Sequence, residues 1–427
     1  MTQNEVRKKF IDFFEERGHK LIPSSSLTSD DPSVLFTTAG VQQLKKYYTG
    51  EADPIKDFGI RRLISIQKSL RTTDIDEVGD TSHGTFFEML GYFSFGDYFK
   101  KETIEWTYDF IVNGLGLSKE RIRPTVFGGD SQAPFDKESF EIWKSLGFEN
   151  KQISLGIRKD NFWGPIGDEG PCGPANEVYI DGIEIGTLVF NEYFCNKNKE
   201  LIPLKQNGVD VGLGFERILI FTQKVPSVYE TDLFAPIITE LRSKNLYDHD
   251  YDFNQRSERI IADHLKASTF VISEGIVPSN VEKGYVLRRL IRKIMRHSKK
   301  LNLANDFLQR SVETIINIYK EYYPDLEKNK KKILEIFNEE FKKFRKALDK
   351  GIKEFEKGII EFKNRDQKMI PGVYVFGIQQ SMGVSLDIMQ DIAKEKDMEI
   401  DLKGFKEEEK KHKEISKVNQ EKKFIKL

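Results

Sequence analysis

Three short stretches in the first half of this 427-residue chain carry residue types suited to phosphate and to a small polar ligand. In "LISIQKSLR" (63–71) apolar and polar residues alternate, which predicts a strand, and Arg71 stands where the strand meets a polar loop, "TTDIDEVGDTS". A guanidinium there can grip a phosphate through two parallel hydrogen bonds. "TFFEML" then resumes the alternation, so the whole reads as an antiparallel hairpin with a long loop. Period two places Phe87 and Met89 on one face of the return strand and Phe86 and Glu88 on the other. One face can offer an aromatic plane to a flat ligand while the other joins the core. A single strand arginine is more often an ion-pair partner than a ligand group, so the hairpin alone decides little.

In "VDVGLGFERILIF" (209–221), Gly212 and Gly214 let backbone approach a ligand closely, and Glu216 and Arg217 open a helix. Taken alone, such a GxG is more often just a tight strand-to-helix turn. "DNFWGPIGDEGPCGPANEVY" (160–179) holds four Gly and three Pro, which predict a rigid irregular loop carrying Trp163 and Asp168. Loops of this composition often wall a small-molecule site.

These residues need elements to hold them. The chain is long enough for two or three domains. Short strands with Gly/Pro loops fill residues 1–235, and helical periodicity dominates 236–427. The start, "MTQNEVRKKFIDFFEERGHK", predicts an amphipathic helix with Val6, Phe10, Phe13 and Phe14 on one face, and it lacks the apolar core of a signal peptide. Ile333, Phe337, Phe341, Phe344, Leu348, Ile352, Phe355, Ile359 and Phe362 recur at helical spacing and predict one long helix. The Lys/Glu-rich end, "GFKEEEKKHKEISKVNQEKKFIKL", reads as a solvated, fraying helix. A net charge of −1 gives no global field to attract nucleic acid, so any RNA contact must be local. "KGYVLRRLIRKIMRHSKK" (283–300) is such a place, with eight Lys/Arg, no acid, and Arg288, Arg292 and Arg296 at spacing four. Cys172 and Cys195 form no CxxC pair, and the six histidines form no HxxxH pair, so neither a disulfide scaffold nor a zinc site is expected. No apolar run is long enough to span a bilayer. The expected setting is soluble and cytoplasmic.

Together the hairpin arginine, the aromatic strand and GLGFER resemble motifs two and three of the class II aminoacyl-tRNA synthetases. Within that class, "TFFEMLGYFSFGDYFKKE", "DNFW", "GPCGP", "VDVGLGFER", "IADH" and "PSNVEKGYVLRRLIRK" are similar to the alanyl-tRNA synthetases, from "GHKLIPSSSL" to "LDIMQDIAKEK". The resemblance implies an α+β fold: a class II antiparallel sheet flanked by helices over 1–235, binding ATP and alanine, followed by an all-helical tRNA-recognition domain over 236–427. It covers the aminoacylation half only. Counterparts of the family's editing domain and of its C-terminal dimerisation domain are not expected, and a minimal or truncated monomer is.

The resemblance also implies roles. Arg71 would grip the α-phosphate of ATP, Phe87 stack on adenine, and Arg217 cap the adenine near the γ-phosphate, with His83, Met89 and Gly214 completing the ATP side. Asp210 would pair with the ammonium of alanine, beside Trp163 and Gly212. Mg²⁺ would bridge phosphate oxygens on one or two carboxylates, Glu88 being the one candidate. Arg288, Arg289 and Arg292 would face the acceptor stem of tRNA, Asn280 would read its G·U wobble pair, and Gln380 stands where the family has an aspartate reading the same pair. The motif-two loop is shorter than the family's and lacks its lysine. Gly186 and Thr187 stand where the family often has Trp-Asn, which implies an altered alanine pocket. Two other classes of function fit the same residues: an RNA-binding paralogue without catalysis, and a ligase that charges a carrier protein.

Overall fold

The computed structural model describes residues 1–28, 34–165, 167–243 and 252–412. Contacts divide the chain into two compact units, Met1–Ile276 with Leu301–Lys330, and Val277–Lys300 with Lys331–Leu427. The helical stretches 236–276 and 301–330 thus cluster with the strands of the first unit.

The first unit is built on a mixed, mainly antiparallel sheet. Its strands are β1 (Lys20–Leu21), β2 (Arg62–Leu70), β3 (Phe86–Phe95), β4 (Ile122–Phe127), β5 (Ser154–Gly156), β6 (Phe162–Trp163), β7 (Gly170–Ile180), β8 (Ile183–Cys195) and β9 (Leu201–Gly214). They lie in the order β1-β2-β3-β9-β8-β7-β4-β5, with β6 paired to β7. Only β1 on β2 and β4 on β5 run parallel. The expected hairpin is β2 with β3, in register from Arg62↔Ser94 to Leu70↔Phe86. In the aromatic run that follows, Tyr92, Phe93 and Phe95 are fully buried and Tyr98 nearly so, a core role for most of that bulk.

The stretch from Gly170 to Ile180 is not the irregular loop its Gly and Pro content suggests. It is the long central strand β7, hydrogen-bonded to β8. The ladder tolerates Pro171, Gly173 and Pro174 because the register slips between Cys172 and Ala175. A Cβ at Gly173 would lie 1.8 Å from the Phe190 carbonyl oxygen, so only glycine fits there.

Helix α1 (Gln3–Glu15) opens with a capping box in which Thr2 and Glu5 satisfy each other's backbone N–H groups, and it buries Val6, Phe10 and Phe14. Helix α2 (Phe215–Gln223) follows β9 directly; α3 (Asp252–Ser273) and α5 (Phe307–Tyr319) also belong to the first unit. The second unit holds α4 (Glu282–Lys300), almost all of the long α6 (Lys330–Lys363), α7 (Gly372–Met382), α8 (Leu386–Glu395) and two short parallel strands, β10 (Met369–Ile370) and β11 (Glu399–Ile400). The periodicity behind α6 buries Ile333, Phe337, Phe355 and Ile359. The charged tail from 413 onward lies outside the described residues. Among those described, no helix is long and apolar enough to cross a membrane.

Candidate active site

A cleft partly open to solvent lies over the middle of the sheet in the first unit. Its wall brings together Arg71, His83, Phe87, Met89, Trp163, Asp210, Gly212, Gly214 and Arg217. Residues from the β2–β3 loop, β3, β6, β9 and α2 meet because β3, β9 and β8 are neighbours: Met89 pairs with Gly214, Gly91 with Gly212 and Phe93 with Asp210, while Gly212 pairs with Thr187 and Asp210 with Val189. Gly212 has a steric reason to be glycine. A Cβ there would come within 2.6 Å of the Met89 sulfur, which lies across it.

Arg71 follows β2 directly, and its guanidinium sits 5.0 Å from the Phe87 ring centre. Solvent reaches this side chain through the cleft, but protein crowds it. Lost hydration pulls its pKa below the ordinary arginine value, Asp74 and Glu184 push it back up, and Arg217 adds to the fall. Two arginines therefore share one cleft, an arrangement that favours a polyanion. Arg217, on the first turn of α2, donates from Nη1 to the Glu184 carbonyl oxygen at 2.9 Å and to Glu184 Oε2 at 3.1 Å. Glu184 Oε1 accepts the Thr187 hydroxyl at 3.0 Å.

Thr187 was expected only as part of an altered alanine pocket, and Glu184 and Asp74 were not expected; for Glu184 a bulge explains why. Tyr179 pairs with Glu184 but Val178 pairs with Gly186, so β8 spends an extra residue, Ile185, at that step. The extra residue returns Glu184 to the face that carries Thr187. Gly186 itself offers no new room: a Cβ there would meet the Leu213 side chain at 2.4 Å.

Asp210 lies at the other end of the row. Its residue is only 7% exposed, and its carboxylate opens to the cleft without a protein partner among the described residues. Withdrawal from bulk water pushes its pKa up from 3.8 to about 7. His83 borders the cleft at the end of the loop after Arg71. Asp80 ties that loop, accepting the Ser82 N–H at 2.9 Å, the His83 N–H at 2.8 Å and the His83 ring.

Glu88 cannot serve the cleft as a metal ligand. It points to the opposite face of β3, fully buried, where Arg7 Nη1 and Nη2 and the Tyr323 hydroxyl donate to it. Below the cleft, Glu216 accepts the Lys266 ammonium at 2.7 Å and the Glu88 N–H at 3.1 Å. These buried pairs fix β3 and α2, the two elements that hold Phe87 and Arg217. Nothing in α1 marks Arg7 as special, since its partner is far along the chain.

The other expected residues belong to the second unit. Asn280 is exposed just before α4, and its side-chain oxygen accepts from Arg288, which also donates to Glu340 at 3.0 Å. Arg289 and Arg292 are half-buried on α4, and Gln380 is exposed on α7. The expected basic ridge is shorter than its spacing suggests: Arg296 is 2% exposed and pairs with Glu395 at 2.7 Å, and buried Lys293 pairs with Asp391 at 2.9 Å.

The family model described as tRNA synthetases class II (A) matches residues 5–427. An alanine–tRNA ligase from Borrelia hermsii is 41% identical over 99% of this chain and 74% of its own length. One from Thermotoga petrophila is 38% identical over 95% of this chain and 48% of its own length. The chain thus spans about three quarters of the first relative and about half of the second. A solved pyrrolysyl-tRNA synthetase from Desulfitobacterium hafniense shares 11% identity over 54% of this chain and 72% of its own, at a TM-score of 0.35, too distant to inform the site.

Proposed function

The chain belongs to the class II (A) tRNA synthetases, among the alanine–tRNA ligases, and we propose that the cleft of its first unit is where alanine is activated with ATP. The observation that carries this reading is one cavity holding two arginines at one end and a buried, unpartnered carboxylate, Asp210, at the other. A zwitterionic amino acid whose ammonium sits on Asp210 presents its carboxylate toward the arginines. There a nucleotide with its adenine on Phe87 would place its phosphates.

In the first step a carboxylate oxygen of alanine attacks the α-phosphorus, the bond to the bridging oxygen breaks, and pyrophosphate leaves with the electron pair. No side chain has to act as nucleophile. Positioning and neutralisation of spreading phosphate charge by Arg71 and Arg217 suffice. In the second step a ribose hydroxyl of the tRNA 3′ end attacks the carbonyl carbon of the adenylate and AMP leaves. Among the cleft acids, Glu216 is engaged by Lys266 and Glu184 by Arg217, which leaves Asp74 beside the arginines as a carboxylate that could hold Mg²⁺. When bound, Mg²⁺ would neutralise charge on the phosphate oxygens.

Asn280 is the proposed contact to the acceptor stem, with Arg288 orienting its amide so that the NH₂ faces outward. The setting is the cytoplasmic site of protein synthesis. Alanine-dependent ATP–pyrophosphate exchange tests the reading. The purified chain should show it, and Arg71→Ala and Arg217→Ala should each lose about 10²–10³-fold in rate. Near-normal exchange in both variants would place the ATP site elsewhere.

A further inference from the structure

Arg217 does not hang free in the cleft; it is aimed. Its Nη1 is held by two oxygens of one residue, the carbonyl and carboxylate of Glu184, at 2.9 and 3.1 Å. A carboxylate on a strand edge could swing through several rotamers. This one is fixed by a second contact, the Thr187 hydroxyl, which donates to the other carboxylate oxygen at 3.0 Å. The side chains of Arg217 and Glu184 are about equally half-buried, at 26% and 33% exposure, so neither desolvation nor packing alone locks them. The arrangement exists only because of the bulge at Ile185. In a regular strand, residues three apart point to opposite faces, and Thr187 could not reach Glu184.

Resting on the reading of the cleft as the ATP site, we propose that Thr187 is a positioning residue for phosphate transfer, acting through Glu184 to hold Arg217 in the direction of the nucleotide phosphates. Thr187 touches no reacting atom in this scheme. Its hydroxyl fixes one oxygen of Glu184, so the other faces Arg217, and the guanidinium keeps its remaining N–H groups for phosphate. Without the hydroxyl, Glu184 can turn its carboxylate toward Arg71, whose charge it already feels, and Arg217 loses its fixed aim. The cost falls on the nucleotide side. Asp210 stands opposite Val189, two residues along β8 from Thr187, so its carboxylate is untouched.

The test compares Thr187→Val, which keeps the β-branched shape, with Thr187→Ser, which keeps the hydroxyl, and with Thr187→Ala as a second deletion. ATP affinity is read by calorimetry and the chemical step by pyrophosphate exchange. Thr187→Val and Thr187→Ala should each weaken ATP binding or slow exchange by roughly tenfold, the size expected for a lost hydrogen bond to a charged group, with the KM for alanine unchanged. Thr187→Ser should behave as the wild type. In an Arg217→Ala background, Thr187→Val should add no further loss of ATP affinity, because the residue it aims is gone. A Thr187→Val enzyme equal to wild type would overturn the proposal. So would a loss undiminished in the Arg217→Ala background, or one confined to the KM for alanine. Failure of the underlying site reading looks different: Arg217→Ala would then bind ATP as well as the wild type does.

Discussion

Lowering the pH should cost this enzyme its grip on alanine before its grip on ATP. Asp210 carries no compensating contact among the described residues, and burial pushes its pKa from 3.8 to about 7. Below that pH the free enzyme holds a neutral acid where the ammonium of alanine needs a carboxylate. The kcat/KM for alanine, which reports the free enzyme, should therefore fall about tenfold per pH unit below about 7 and level off above it. The bound ammonium favours the charged form, so kcat should break at lower pH. Asp210→Asn keeps the shape and removes the charge. It should lose about 10²–10³ in kcat/KM for alanine, as expected when one partner of a buried charge pair is removed, and its alanine profile should be flat across the same range. Stability supplies an independent reading. A folded-state pKa raised above the unfolded value means the ionised acid opposes folding. The penalty is absent below about pH 4 and grows as pH rises toward 7. Above 7 it reaches at most about 4 kcal/mol. Urea denaturation should then find Asp210→Asn more stable than wild type near pH 8, with the difference closing toward pH 4. A variant that still uses alanine normally, or one less stable than wild type near pH 8, would refute the reasoning.

Other expectations follow from the same geometry. Arg7→Ala strands the buried Glu88 carboxylate with only the Tyr323 hydroxyl, and urea denaturation should show a loss of about 3–5 kcal/mol. Asn280→Ala should lower aminoacylation of tRNA while leaving pyrophosphate exchange intact, and Arg288→Ala should follow it, since Arg288 holds the Asn280 side chain. Because Arg288 is already paired with Glu340, its loss should leave the salt dependence of tRNA binding nearly unchanged; a slope reduced by about one unit would instead mark it as a phosphate contact. Serine should be activated in pyrophosphate exchange within about 10²-fold of alanine, since a small pocket rejects an added hydroxyl only weakly. Discrimination far stronger than that would mean a wall group excludes the hydroxyl.

Local rules made the hairpin readable. A half-buried strand must alternate, so Phe87 and Met89 had to share a face that Glu88 could not join, and the cleft uses that face. Gly212 and Gly214 were expected to let backbone approach a ligand; what crosses Gly212 in the structure is the Met89 sulfur. The same period-two rule hides Glu184. Counted along an ideal strand it belongs to the face opposite Thr187, and only a slip in pairing with β7, a strand whose own Gly and Pro content disguises it, puts the two side by side. Bulges are set by partner strands, which spacing within one segment does not record.

Charge was misread for a related reason. Along α4 a run of eight basic residues without an acid suggests an open ridge for phosphate, yet Lys293 and Arg296 find Asp391 and Glu395 on α8, about a hundred residues later. Arg7 is the same case in the first unit: its spacing places it on the buried stripe of α1, where an arginine makes sense only once Glu88 arrives from β3. A buried cation costs several kcal/mol without a partner, so each of these positions presupposes a particular long-range pairing. Asp210 is the counterexample that gives the site away. It is buried as these are and has no partner among the described residues; on the proposed reading the substrate ammonium is the cation that completes it.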